Sequence, residues 1–315
     1  MKFRCGPHGG DSEALAAHLG LDAAAVLDLS ASLNPLAPDA AEVVGKHLDA
    51  VGRYPDATRA TAALAEAMGV PAENLLLTNG GAQAIDLVAG ALGGWVTEPE
   101  FGLHPRSRLN PAGQRGPRWR SDPHNPSGRL AGADEAAGVW DEAFYPLATG
   151  RWTAGRSGSV VGSLTKVFAC PGLRLGYVLG DPDDAWWDGL TRAQPQWSVN
   201  GLGAASLPGL LERTDLKAWA SGIGELRRDL VAVLEVAGLH AEASDANWVL
   251  VKAPGLRDRL AERAVLVRDC GTFGLEGFVR IAVPNADGLV RLQRALEGVA
   301  NGDETGCVAH DCGGL

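Results

Sequence analysis

Short apolar runs alternate with helix-period stretches through the middle of the chain. Leu75-Leu76-Leu77-Thr78 suits a buried strand, and Gly80-Gly81-Ala82-Gln83 then opens a helix carrying Ile85, Leu87, Val88 and Leu92. Further strands are predicted over Trp95-Val96-Thr97, Gly138-Val139-Trp140, Ser159-Val160-Val161-Gly162 and Leu175-Gly176-Tyr177-Val178-Leu179. Apolar strands separated by helices indicate an α/β fold with a mainly parallel sheet. Ligands bind at loops on the carboxyl ends of such strands.

Beyond about residue 205 the pattern changes. A long amphipathic helix over Leu216 to Val236 is followed by strands over 247–251, 265–268 and 278–283, and by a closing helix from Ala286 to Val299. This is an α+β arrangement. The expected division is a large domain over 40–205, a small domain combining 1–39 with 206–300, and a flexible tail over 301–315.

Composition narrows the function classes. Apolar residues make up 46% and charged residues 21%, with a net charge of −10. That field repels a nucleic-acid backbone, and no basic stripe offsets it. No apolar run approaches the ~20 residues that span a bilayer, and the first residues lack an apolar secretory core. A cytoplasmic protein with neither nucleic-acid nor membrane partners is expected. The five cysteines are odd in number and scattered, so reduced thiols are expected. Cys307, His310 and Cys312 read as part of a polar tail rather than a metal site.

The chemistry concentrates in Ser163-Leu164-Thr165-Lys166, followed by Pro171-Gly172-Leu173-Arg174-Leu175-Gly176-Tyr177. A lysine placed just after a buried strand is desolvated, which lowers its pKa and makes its amine a nucleophile. Arg174 lies eight residues on, beyond a glycine turn, and its planar fork suits a phosphate. Taken alone, Ser-x-x-Lys also fits a surface lysine beside a structural arginine.

Other segments favour the first reading. The stretch resembles the lysine signature of the class I/II aminotransferase family, fold-type I enzymes that use pyridoxal 5'-phosphate (PLP). Further segments match the family in order: Tyr54-Pro55-Asp56, Gly81-Ala82-Gln83, Asn125-Pro126-Ser127-Gly128 and Asp141-Glu142-Ala143-Phe144. The resemblance implies a three-layer sandwich large domain with a mainly parallel sheet, plus a smaller α+β domain. It makes Lys166 the residue that carries PLP and Asp141 the partner of the protonated pyridine nitrogen. It puts Asn125 on the phenolic oxygen, and Gly81, Ala82, Gln83, Ser163, Thr165 and Arg174 around the phosphate. It also implies a homodimer with shared sites, Tyr54 reaching the neighbour's phosphate. In Pro99-Glu100-Phe101-Gly102-Leu103-His104, it implies that Phe101 stacks on the ring and that His104 supports Asp141.

Within the family, the segments around His8 and Asn34 and Gln196-Trp197-Ser198-Val199-Asn200 are similar to a decarboxylating branch. Its substrate is a small phosphorylated amino acid. Phe144 fits that branch, whereas phosphate-substrate aminotransferases, the next most similar, usually carry tyrosine there. Arg268 and Arg280 match arginines that hold substrate anions, and His8 and Asn34 lie in the segment that covers the site. One departure stands out. Only fifteen residues separate Asn125 from Asp141, and the span from His104 to Asn125 is also short, so the region around 105–140 is trimmed.

Overall fold

The computed structural model describes residue 6 and residues 9–300. Its helices are α1 (Ser12–Leu19), α2 (Ala40–Val44), α3 (Thr58–Met68), α4 (Gly80–Leu92), α5 (Tyr145–Thr149), α6 (Leu164–Val167), α7 (Trp187–Ala193), α8 (Gly201–Leu211), α9 (Leu216–Val236), α10 (Leu256–Ala261) and α11 (Ala286–Ala300). Its strands are β1 (Leu27–Leu29), β2 (Leu75–Asn79), β3 (Trp119–Ser121), β4 (Val139–Asp141), β5 (Ser159–Ser163), β6 (Leu175–Leu179), β7 (Trp248–Lys252), β8 (Val265–Asp269) and β9 (Phe278–Ala282).

The larger sheet has the order β2-β6-β5-β4-β3. β3, β4 and β5 are parallel, and β6 runs antiparallel to both of its neighbours. The sheet is therefore mixed, with four strands pointing one way. Side chains alternate across it as a strand's two-residue period requires. Leu75, Leu77, Trp140, Val160 and Tyr177 pack on one face with α3, α8 and the first half of α9. Val139, Val161 and Val178 pack on the other with α4 and α7. Three layers result, with both faces of the sheet covered.

The strand expected over Trp95-Val96-Thr97 does not form. Trp95 makes a single parallel bridge to Arg118 and Gly94 an antiparallel one to Arg108. Gly93 and Gly94 both have positive φ, and the Trp119 indole N–H donates to the Gly93 carbonyl at 3.0 Å. The backbone wraps the indole instead of extending along the sheet. Between α4 and β3 the chain has no helix or strand, so the short region seen in the sequence is an irregular edge.

The smaller sheet has the order β1-β8-β9-β7, β1 coming from the N-terminal part of the chain. Leu29, Val249, Val251, Val265, Val267, Val279 and Ile281 face a core made with α10, α11 and the second half of α9. The alternate positions, Asp28, Trp248, Leu250, Leu266, Arg268 and Arg280, lie on the opposite face. No helix among the described residues is long and apolar enough to cross a membrane.

Candidate active site

The carboxyl ends of β2, β4 and β5 share one edge of the larger sheet. Because β6 is antiparallel, its first residues return to that same edge. Leu175 pairs with Asn79, and Gly176 with both Thr78 and Ser163. This register sets the guanidinium of Arg174 against Gly80, where a Cβ would lie 2.9 Å from Cζ and closer to Nη2. Gly80 has φ +78°, and α4 starts there, its first-turn N–H groups lacking acceptors within the helix. Ser163 Oγ and Thr165 Oγ1 are 2.7 Å apart, and Ser163 lies against Gly81. Among the described residues Arg174 has no acidic partner; its guanidinium donates to the Pro171 carbonyl at 3.3 Å. An arginine, two hydroxyls and a helix N-terminus thus form a cradle for a dianion.

Lys166 sits on the short helix after β5. Its Nζ donates to the Ala31 carbonyl at 2.8 Å and lies 5.7 Å from the centroid of Phe144. Burial is the main cause that lowers its pKa to about 8, and the charges of Arg280 and Arg174 lower it further against Asp28 and Asp141. Near neutral pH a useful fraction of the amine is therefore uncharged and nucleophilic.

Asp141 ends β4, buried. Its Oδ2 is 2.9 Å from His104 Nε2, and its Oδ1 accepts the Ala143 N–H at 3.0 Å. Phe101 packs edge-on to the His104 ring, with centroids 5.5 Å apart.

The face of the smaller sheet opposite its helices α10 and α11 supplies the cations. Arg268 and Arg280 are directly opposed on β8 and β9, so both side chains leave the same face. Both are buried. Arg280 donates to Asn125 Oδ1 at 2.6 Å and stacks over Trp248 at 4.8 Å. Burial pulls its pKa down to about 10, which leaves it charged at neutral pH and suited to an anion. Arg268 donates to Thr272 Oγ1 at 2.9 Å. Trp248 was not singled out as a site residue from the sequence. The usable signal was its place in an alternating strand, on the same face as the arginines.

Two expectations change. Asn34, expected at the substrate, is committed to the chain itself. Its Nδ2 donates to the Val167 carbonyl at 2.9 Å, its N–H to the Lys166 carbonyl at 3.0 Å, and its Oδ1 accepts the Leu36 N–H. It ties the N-terminal segment to the lysine turn, because these buried backbone groups need partners. The Gln83 side-chain oxygen accepts the Asn79 N–H at 2.7 Å and so caps α4, which leaves its amide N–H groups and its backbone N–H as donors. Tyr54 is 79% exposed and stacks on Trp197 at 4.6 Å. His8 and the Cys307/His310/Cys312 tail lie outside the described residues.

The assembled groups fit PLP: a dianion cradle at Arg174, a buried carboxylate at Asp141, and a desolvated amine at Lys166.

Comparison with known proteins agrees. A family model described as aminotransferase class I and II matches residues 123–296. The threonine-phosphate decarboxylase of Salmonella typhimurium is 30% identical, with 94% of this chain and 97% of that protein covered. The histidinol-phosphate aminotransferase 2 of Methylococcus capsulatus is 29% identical, with 87% and 90% covered. The structure of histidinol-phosphate aminotransferase from Sinorhizobium meliloti, in complex with pyridoxal-5'-phosphate, shares the fold with a TM-score of 0.76 at 18% identity, covering 95% of each chain. The 94% aligned with the Salmonella protein, about 296 of 315 residues, fills 357 aligned positions, so some 60 face residues this chain lacks.

Proposed function

The chain belongs to the class I and II aminotransferase family, fold-type I enzymes that use PLP, and on that footing we propose that it decarboxylates L-threonine O-3-phosphate to (R)-1-amino-2-propanol phosphate. This is a reaction of cobalamin biosynthesis. The observation that carries the reading is the buried, register-paired Arg268 and Arg280 on one face of the smaller sheet. A small amino acid with both a carboxylate and a phosphate matches two adjacent buried cations. Phe144 supports the reading, since its ring offers no hydroxyl beside Lys166, and so does the 30% identity to the Salmonella enzyme.

When bound, PLP supplies an electron sink for the pair released as the Cα–carboxylate bond breaks. The chain's own groups do the rest. Arg174, Ser163, Thr165 and the first turn of α4 hold the phosphate of the cofactor. Asp141 would face its ring nitrogen, and His104 holds Asp141. Arg280 and Arg268 hold the substrate anions and so decide which bond at Cα is turned for cleavage. Lys166 would carry the cofactor, and its Nζ would hold the proton that Cα takes up.

The test is product analysis with O-phospho-L-threonine. Carbon dioxide released without any keto acid supports the proposal. If that compound is left intact while histidinol phosphate is converted only with 2-oxoglutarate, the aminotransferase reading replaces it; the 29% identity to the Methylococcus enzyme favours that alternative.

A further inference from the structure

Asp141 is linked through His104 to a second buried carboxylate that the mechanism above does not use. The His104 ring presents Nε2 to Asp141 at 2.9 Å and Nδ1 to Glu100 Oε1 at 3.8 Å. Among the described residues Nδ1 is buried and has no hydrogen-bond partner. Glu100 itself is 2% exposed. Its Oε1 accepts from Ser121 Oγ at 2.6 Å and from the Phe101 N–H at 2.9 Å, while its Oε2 accepts the Ser121 N–H at 3.0 Å. Both oxygens act as acceptors, the arrangement of an ionised carboxylate. A buried anion needs a nearby positive group.

Arg106 lies close but serves the backbone. It donates to the carbonyls of Glu100, Phe101 and His104 and pairs with the Glu98 carboxylate. The imidazole is the group whose polar edge meets the Glu100 carboxylate. It is held between Phe101, edge-on at 5.5 Å, and Trp119 at 5.4 Å. A bare Nδ1 lone pair 3.8 Å from a carboxylate in so dry a site would be repelled, whereas an N–H there is attracted.

We propose that Glu100 is a positioning residue that acts on Asp141 through His104, holding a proton on each nitrogen of the ring. The row Glu100–His104–Asp141 then alternates negative, positive and negative. It aims the Nε2 proton at Oδ2 and keeps Asp141 ionised for the ring nitrogen of PLP. The inference rests on Asp141 as partner of that nitrogen and is independent of which bond at Cα breaks.

The test is nitrogen NMR of the PLP-loaded enzyme with 15N-labelled histidine, the His104 signals being those missing from His104→Asn. Protons on both His104 nitrogens are expected. Glu100→Gln should lose the Nδ1 proton and keep the Nε2 proton. A single protonated nitrogen on His104 in the unsubstituted holoenzyme overturns the proposal, even if the variants fail to fold. Retention of both protons in Glu100→Gln overturns it too. Neither readout depends on turnover, so a failed decarboxylation assay leaves this result to stand by itself.

Discussion

Replacing Gly80 by alanine separates the cost of folding from the cost of holding the cofactor. The residue has φ +78°, where an alanine costs about 1–2 kcal/mol. Its Cβ would also lie 2.9 Å from Arg174 Cζ, well inside contact distance. The obstructing atoms belong to the exposed end of a flexible side chain, so the guanidinium can swing aside at little further cost to the fold. What it cannot then do is keep its place in the cradle. One charge-assisted bond to a phosphate contributes about 1.5–3 kcal/mol, so the Kd for PLP should rise roughly 10- to 150-fold. Gly81→Ala is the control, because its Cβ would meet Ser163 Cβ at 3.3 Å without a positive φ, and a smaller loss is expected. Absorbance titration of the apoprotein with PLP gives Kd, and thermal unfolding of the apoprotein gives the stability change. If Gly80→Ala lowers the melting temperature but leaves Kd within twofold of the parent, Arg174 does not hold the phosphate and the cradle is misassigned.

Borohydride treatment of the holoenzyme should fix the cofactor on Lys166, as read by peptide mapping, and Lys166→Ala should abolish turnover. In the apoprotein, labelling of Lys166 by an amine reagent should have a midpoint near pH 8 rather than near 10.5. The folded pKa lies below the unfolded one, so the unfolded chain binds more protons between them, and stability should rise as pH rises through that window. Arg280→Gln should move the labelling midpoint upward, since a cation near the amine is lost, and should lower kcat/KM by a factor of roughly 10 to 150; an unchanged midpoint would place Arg280 away from Lys166. Mixing Lys166→Ala chains with Tyr54→Phe chains should restore part of the activity through one intact composite site, and no recovery would argue against a Tyr54 that reaches across a dimer.

Along the chain, the sequence determined most of the elements and offered the candidate reactive groups. The strand over Leu175–Leu179 and the helix over Leu216–Val236 coincide with the apolar patterns that predicted them. Lys166, Asp141 and Arg174 stand in motifs specific enough to identify by residue type and order. Local periodicity and turn chemistry carry that information because they involve neighbours in the chain. The tertiary structure decided which groups meet. Arg174 reaches Gly80 only because β6 runs antiparallel between β2 and β5. Asn34 and Gln83 went to backbone partners that local pattern does not reveal. Trp95 lost its strand to the packing of Trp119, more than twenty residues away in the chain. Glu100 meets Ser121 through both of its oxygens, a contact across the chain that local pattern does not reveal. In each case the deciding contact joins residues that only sheet order and register bring together, and that order is a property of the packed core as a whole.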